Sequence, residues 1–422
     1  MSDFGRRFMH GSLLVVIAAG VTGIAGYLIR RLMALGLTTE EYAFFYSMHS
    51  LLILLSAVAR FGTADAALFL LPELITRKQQ RRARLVYSFI RRSQWLFPGG
   101  LTLLMYAAIP LLIRFYLPAR GSYLEIALFL PLLLTTAFET ASQFALNSFK
   151  EFGVLNLLKS LKSILLLGGV ALALSLHSLD GVIVVYVGLS LLTALTGDLL
   201  VTRWKKLSTS VRIPKCIGQE VLQAGAFYFL LSVGYAAIND VGTVALSFVS
   251  SAEEVALFNI AIPIAMIVRS LSGAAMVFTP LASELHCNGE TIRLMRFFRN
   301  FSLATVAAMV LTAPLLWYGG DFLIGILFGS RFAAAKWSTL FLVEATLLAL
   351  PIQMYLNFFN VIGRKKEAGL TLIPALCTAV IVLPLLCRFF GATGAGVAVL
   401  IITAVWFLSC RRRCIELRNE GG

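Results

Sequence analysis

Residues 37–74 read LTTEEYAFFYSMHSLLILLSAVARFGTADAALFLLPEL, an acidic turn followed by an almost continuous apolar run. A helix needs about 20 apolar residues to cross a bilayer, and this run is long enough. A related stretch returns at residues 250–285 as SSAEEVALFNIAIPIAMIVRSLSGAAMVFTPLASEL. Glu253 and Glu254 match Glu40 and Glu41, and the matched residue numbers differ by 213. The recurrence predicts that the chain consists of two related halves.

Two further pairs of matched residues, which we call anchors of the repeat, have the same spacing of 213 positions. Asn147 matches Asn360, and Gly181 matches Gly394, each pair being 213 residues apart. Three anchors at one offset, with no gap between them, favour a duplication over chance. Because six helices in each half is an even number, both halves have the same orientation, with a pseudo-twofold axis along the membrane normal. Two such lobes are expected to enclose a central cleft that opens to alternate sides.

The composition is that of a membrane protein. Of the 422 residues, 59% are hydrophobic and 14% are charged. Soluble domains are about half apolar, with roughly a quarter of their residues charged. Residues 11–29 and 301–320 carry no charge and are each long enough to span a bilayer. The sequence therefore predicts an all-α polytopic membrane protein rather than a soluble enzyme.

The hydrophobic runs predict about twelve membrane helices, at residues 8–32, 42–72, 93–114, 122–147, 153–176, 181–202, 219–247, 255–284, 298–318, 337–359, 368–387 and 392–410. They divide the chain into an N-terminal six-helix lobe (1–202), a cytoplasmic linker (203–218), a C-terminal six-helix lobe (219–410) and a cytoplasmic tail (411–422).

The charge distribution predicts the topology. The net charge is +15, and most of the 36 lysines and arginines fall in alternate loops, among them residues 77–92, 203–215 and 411–418. We assign Lys150, Lys159 and Lys162 to one of these basic loops. Basic loops are cytoplasmic, so both termini are predicted to be cytoplasmic. Nucleic-acid binding is not expected, because the basic residues lie in short loops rather than on one face. The six cysteines lack the spacing of a disulfide framework or a metal site, so neither a metal nor a cofactor is expected.

Two arginines lie inside predicted helices. Arg60 is near the middle of the second helix and Arg269 is in the eighth, its repeat partner. The repeat places Arg269 opposite Ser56, one helical turn from Arg60 on the same face. A charge at that depth costs several kcal/mol and usually faces a water-filled cavity or a partner. Guanidinium binds phosphate oxygens bidentately, so both arginines are candidate cavity residues for an anionic ligand.

Two aspartates are further candidates for the cavity. Asp240 and Arg269 each lie roughly 20 Å along their helices from the turn at Glu253, so an ion pair between them is expected. Asp65 follows Arg60 by five residues, about 140° around the helix, so these two need not pair. The alternative for both aspartates is an inter-helix ion pair without a role in substrate binding.

The remaining intramembrane charges allow more than one interpretation. Glu139 and Glu344 lie inside helices four and ten, either as pairs at the interface between the lobes or as proton or cation sites for coupling. Arg30 and Arg31 end the first helix near the outer face. They are expected to extend towards the interface, and they are also candidates for the cavity.

Several stretches resemble the polysaccharide transporter branch of the multidrug/oligosaccharidyl-lipid/polysaccharide flippase superfamily. They are GLTTEEYAFFYSMHSLLILLSAVARFG (36–62), ILFGSRFAAAKWSTLFLVEA (326–345), NVIGRKKEAGLTL (360–372) and FFGATGAGVAVLI (389–401). The resemblance covers nearly the whole chain. Ala43 departs from the family, which usually has glycine there.

This resemblance implies a transporter rather than an enzyme: a flippase for polyprenyl-pyrophosphate-linked oligosaccharides in O-antigen or exopolysaccharide synthesis. It implies a bacterial or archaeal cytoplasmic membrane, a lipid-linked oligosaccharide and membrane lipid as ligands, and glycosyltransferases and a polysaccharide polymerase as partners. The alternatives are a cation-coupled multidrug exporter on the same fold and a flippase for a peptidoglycan lipid precursor. A polysaccharide polymerase or ligase is disfavoured because the predicted outer loops are short.

Overall fold

The computed structural model describes residues 3–117, 121–204, 206–207, 213–270 and 291–420. Within these ranges the chain is helical and contains no strand. It divides into two compact units, Met1–Asp240 and Val241–Gly422. The division falls inside a helix, whereas the sequence places the linker at residues 203–218. The two functional lobes remain a prediction.

The first unit contains nine helices followed by most of a tenth. In chain order they are α1 (Asp3–Gly36), α2 (Thr39–Ala59), α3 (Thr63–Thr76), α4 (Gln80–Ala107), α5 (Ile109–Phe115), α6 (Tyr123–Phe129), α7 (Pro131–Ser148), α8 (Phe152–Ser175), α9 (Leu179–Leu199) and α10 (Lys215–Val249). A π-helical turn, Leu200–Trp204, follows α9 directly. Helix α7 packs against α2, α3, α4, α8 and α9, so it is central to this unit.

The second unit contains the end of α10 and five further described helices. They are α11 (Ala252–Ser270), α12 (Thr291–Phe328), α13 (Lys336–Val361), α14 (Lys365–Leu370) and α15 (Ile373–Glu420), with a 3-10 turn at Ser330–Ala335. Helix α13 packs against α11, α12 and α15.

The described helices confirm the predicted all-helical membrane fold. Seven of them are long and apolar enough to cross a membrane, and up to nine if each of two bent pairs counts as one span. The predicted span 392–410 and all but the first five residues of the span 368–387 lie within α15, where Gly391 (φ 53°) interrupts the helical backbone. Part of the predicted eighth span, residues 271–284, lies outside the described residues.

The second predicted span is not one helix, which corrects the prediction for residues 42–72. Helix α2 ends at Ala59 and α3 begins at Thr63. Between them Phe61 (φ 47°) and Gly62 (φ 67°) adopt left-handed backbone conformations, so the helix cannot continue. The backbone N–H of Thr63 bonds the carbonyl of Arg60 at 2.9 Å, and that of Ala66 bonds the carbonyl of Gly62 at 3.0 Å. These bonds satisfy polar groups that a break inside a bilayer would otherwise leave unpaired.

Two lysines assigned to a basic loop lie in a helix instead. Helix α8 begins at Phe152, so Lys159 and Lys162 are eight and eleven positions into a span of 24 residues. The predicted span 153–176 already contains both lysines, so counting them among the loop charges was the error, and the helix boundary itself was predicted within one residue.

The repeat anchors have different local roles in the two units. Glu41 closes a capping box with Thr38 at the start of α2. Its counterpart Glu254 instead accepts a bond from the backbone N–H of Ala392. This bond satisfies a backbone donor just after the break at Gly391, where the helical bonding of α15 is interrupted. The two acidic turns that the predicted repeat matches therefore make different contacts in the two units.

Candidate functional site

Arg60 lies at the break between α2 and α3. Its Nη1 donates to Thr140 Oγ1 on α7 at 3.0 Å. One turn earlier, Thr136 Oγ1 donates to Ser56 Oγ at 3.0 Å. The two bonds join α2 and α7 at matching four-residue steps, so they form a short polar ladder at membrane depth. The ladder fixes the guanidinium through a neutral hydroxyl and leaves its charge uncompensated by that contact.

Two buried atoms beside the break lack hydrogen-bond partners among the described residues. They are Nε of Arg60 and Oδ2 of Asp65. The other carboxylate oxygen, Oδ1, accepts from Ser232 Oγ on α10 at 2.5 Å. Asp65 is only 5% exposed and lies in the electrostatic field of Arg60. Neither residue takes part in an ion pair in the described part of the chain, which agrees with their five-residue spacing.

Glu139 forms the centre of a second polar cluster in the same unit. Lys162 Nζ on α8 donates to its Oε2 at 2.6 Å, and Gln143 Nε2 donates to its Oε1 at 3.0 Å. Ser190 Oγ on α9 lies 3.3 Å from Oε2. Glu139 thus forms an ion pair between two helices of the first unit, which is neither of the two alternatives predicted for it. A coupling role for this residue remains a prediction.

Arg30 lies within a group of aromatic side chains rather than at a helix end. Helix α1 continues to Gly36, six residues beyond Arg30, which corrects the predicted helix end. The guanidinium carbon is 4.4 Å from the ring centroid of Tyr46, a cation–π distance. Tyr42 and Tyr186 also act electrostatically on Arg30. Arg31 is half-buried, and its place in a cavity remains a prediction.

Aromatic rings continue the group around Arg30. His49 stacks on Phe45 at 6.1 Å and meets Tyr186 edge-on at 5.9 Å. Phe45 also packs against Phe129 at 5.0 Å. We call Arg30, Tyr42, Phe45, Tyr46, His49, Phe129 and Tyr186 the aromatic cluster. It places a cation beside several π faces within the first unit.

Asp240 acts electrostatically on Arg30. This interaction was not predicted from the sequence. The expected pair of Asp240 with Arg269 joins residues of different units and remains a prediction. Arg269 is the penultimate residue of α11 and its side chain is exposed. In the same unit, Glu344 is 6% exposed and accepts from Thr312 Oγ1 at 2.8 Å.

The sequence analysis missed the polar partners contributed by α7. They are Thr135, Thr136, Thr140 and Gln143, which share one segment, TTAFETASQ, at residues 135–143. The many hydroxyl, amide and carboxylate groups of this segment, inside an apolar helix, are the sequence signal that it contacts several neighbouring helices. Polar groups in a membrane helix seek partners on neighbouring helices. Among the described residues, no group of three His, Cys, Asp or Glu side chains is placed to hold a metal ion.

Comparison with solved structures identifies the fold. The chain is similar to an inward-facing multidrug resistance MATE family transporter of the MOP superfamily, with TM-score 0.68 and 17% identity over 96% of both chains. It is also similar to the lipid II flippase MurJ in an inward closed conformation, with TM-score 0.69 and 15% identity over 94% of this chain and 86% of MurJ. The Vibrio cholerae MATE transporter VcmN in its bent form gives TM-score 0.58 and 12% identity, over 96% of this chain and 98% of VcmN.

The chain thus has the fold of the MATE transporters and of MurJ. No family model matches the sequence, and no curated protein matches it either. The resemblance to the superfamily is confirmed at the level of the fold. Membership of the polysaccharide transporter branch remains a prediction.

Proposed function

We propose that this protein is a flippase that moves polyprenyl-pyrophosphate-linked oligosaccharides across a bacterial or archaeal cytoplasmic membrane by alternating access. The oligosaccharides would be repeat units of O-antigen or exopolysaccharide. Glycosyltransferases would supply the substrate, and a polysaccharide polymerase would consume it. The protein makes and breaks no covalent bond in this scheme.

The observation that carries the proposal is the state of Arg60. Its side chain makes one hydrogen bond to a neutral hydroxyl, its Nε has no partner among the described residues, and it forms no ion pair there. Burying a cation without an ion pair is costly, so such groups in membrane helices generally serve a function. A pyrophosphate supplies several anionic oxygens, and a guanidinium binds them through parallel N–H bonds.

The aromatic cluster carries a positive charge in the same unit as Arg60, but it is packed interior: Tyr42, Phe45, Tyr46 and Phe129 are each at most 2% exposed. Lys162 does not add to this charge, because Glu139 neutralises it at 2.6 Å. The proposed head-group site therefore rests on Arg60, and Arg30 and Arg269 remain candidates from the sequence alone.

A cation-coupled multidrug exporter is the second candidate, because Asp65 and Glu344 are buried carboxylates without an ion pair in the described structure. A flippase for a peptidoglycan lipid precursor is the third, favoured by the fold shared with MurJ. The second candidate would take cationic substrates, whereas the first and third would take a pyrophosphate-linked lipid.

Substitution of Arg60 tests the proposal in cells. In a strain deleted for this gene, we expect Arg60→Ala to reduce surface glycan by about tenfold or more, because a hydrogen bond to a charged group contributes about 1.5–3 kcal/mol. Arg60→Lys should retain part of the activity, because it keeps the charge and loses the planar fork. Glycan on the cell surface is measured by gel and lectin staining.

Arg412→Ala is the matched control, because that side chain is 84% exposed. It should export glycan at the wild-type level. Membrane abundance of each variant is measured by immunoblot. Unchanged glycan export by Arg60→Ala at normal abundance would show that Arg60 does not hold the head group.

A further inference from the structure

Asp65 differs from the other intramembrane carboxylates of the first unit. Glu139 has a lysine at 2.6 Å, whereas Asp65 has only neutral donors, the hydroxyl of Ser232 and its own backbone N–H, and an unpartnered Oδ2 among the described residues. With 5% of its surface exposed, it is more than nine-tenths buried. An ionised carboxylate in such a place is far more costly than a neutral acid.

The negative charge of an ionised Asp65 is compensated only in part by the charged groups around it. Arg60 acts on it electrostatically without forming an ion pair. Helix α3 packs against α4 and α7, and each of these helices carries a charged group held in an ion pair. Arg91 on α4 pairs with Asp198 at 3.0 Å, and Glu139 on α7 pairs with Lys162. On α10, Glu220 pairs with Arg82 at 2.9 Å.

We propose that Asp65 is a proton-binding site linked to the anion site at Arg60. A proton from the aqueous phase bonds to Oδ2, and the neutral acid keeps the hydrogen bond with Ser232 through Oδ1. The described surroundings offer few ligands for a cation such as Ca²⁺, which takes about six to eight oxygen ligands. Beyond its own two oxygens, the carboxylate has one side-chain oxygen within hydrogen-bond distance, that of Ser232.

The linkage follows from the shared charge of Arg60, and it rests on the proposed function. When an anion binds Arg60, the positive charge that stabilises ionised Asp65 is neutralised, and Asp65 takes up a proton. Conversely, a protonated Asp65 no longer competes for the field of Arg60, so the anion binds more tightly. The two binding events must promote each other by the same factor.

Infrared titration of the full-length protein in nanodiscs tests the proton site without any substrate. We expect a protonated-carboxylic-acid band that titrates with pH in the wild type and is absent in Asp65→Asn. The matched control is Glu73→Gln on the same helix, because Glu73 is an exposed carboxylate whose salt bridge with Arg77 lies at the surface. Its spectrum should keep the band. A band that persists unchanged in Asp65→Asn overturns the proposal.

Binding of inorganic pyrophosphate at several pH values tests the linkage. We expect the ratio of wild-type to Asp65→Asn affinity to change by about fivefold or more between acid and alkaline pH. The ratio cancels the titration of the probe itself. A ratio independent of pH, or wild-type binding that follows sodium instead of pH, overturns the linkage.

Two outcomes separate this proposal from the proposed function. If the wild type does not bind pyrophosphate but its infrared band is lost in Asp65→Asn, the proton site is supported and the proposed substrate fails. If Asp65→Asn does not fold, Ser232→Ala serves in its place. Loss of the Ser232 donor should move the infrared midpoint to higher pH, because the hydrogen bond favours the charged form. An unmoved midpoint would count against the site.

Discussion

Three charged side chains in the first unit show three ways of holding a charge inside a membrane. Lys162 is paired with a carboxylate, Arg60 is bonded to a hydroxyl, and Asp65 is bonded to a serine with one oxygen left over. Of the three, only Lys162 has its charge neutralised by a direct ion pair, with Glu139. In our proposal, structural and functional charges differ in their partners rather than in their depth, and the position of a residue in the sequence predicts its depth alone.

Glu139 and Lys162 should behave as a structural pair. Glu139→Gln leaves a buried ammonium without its counter-ion, and breaking a buried pair on one side costs about 3–5 kcal/mol. We expect a clear fall in the thermal unfolding midpoint of the purified protein. The double variant Glu139→Gln, Lys162→Met should recover most of the loss, because both charges are then removed.

The exposed pair Glu73–Arg77 is the control for this measurement. Its side chains are 54% and 65% exposed, so Glu73→Gln should cost no more than about 1 kcal/mol. A double variant that is no more stable than Glu139→Gln alone would contradict the assignment of a simple ion pair.

Among the secondary-structure elements, the break between α2 and α3 matters most, because Arg60 and Asp65 lie on either side of it. The break is held by a close approach of two backbones. A Cβ on Gly62 would lie 2.1 Å from the carbonyl oxygen of Gly225, and a Cβ on Gly225 would lie 2.5 Å from that of Gly62. Both distances are too short for any real contact, so each position requires glycine.

Gly225→Ala should therefore destabilise the packing of α10 against the break. We expect a cost of about 1–3 kcal/mol, as for an added group in a packed interior, measured as a lower unfolding midpoint. Gly168→Ala on α8 is the matched control, because a Cβ there meets nothing within 4 Å. The control should be neutral or slightly stabilising, since alanine is the better helix former. Equal effects of the two substitutions would show that the close approach does not matter.

The helices were largely predictable, whereas the break was not. Long apolar runs and acidic turns mark helices such as α2, which starts with a capping box at Thr38 and Glu41. The break falls at Arg60, Phe61 and Gly62, inside an apolar run that contains a single glycine. The hydropathy of this run does not predict the change of backbone conformation. Its cause lies in α10, about 160 residues later in the chain, at Gly225.

At the scale of the whole molecule, composition and the internal repeat were sufficient for the fold class. The structural similarity to MATE transporters and to MurJ confirms it at 15–17% identity. The site was predictable only in part. Arg60 and Asp65 stand out as charges in an apolar run, but Thr140, Ser232 and Lys162 become partners only when separate helices pack together.

The fold is shared by proteins that handle different substrates, so it does not decide the substrate of this one. In our proposal, the charge of the binding site determines the class of substrate. A guanidinium without a direct ion pair, such as that of Arg60, favours an anionic head group, whereas an exporter of cationic drugs would use carboxylates and aromatic rings without competing cations.

The most direct test is transport by the purified protein in liposomes. We expect the wild type to move a fluorescent polyprenyl-pyrophosphate-linked oligosaccharide between leaflets, and Arg60→Ala to lose this activity while Arg412→Ala keeps it. A cationic drug such as ethidium should not be transported in the same vesicles. Transport of ethidium, with no movement of the pyrophosphate-linked lipid, would contradict the account.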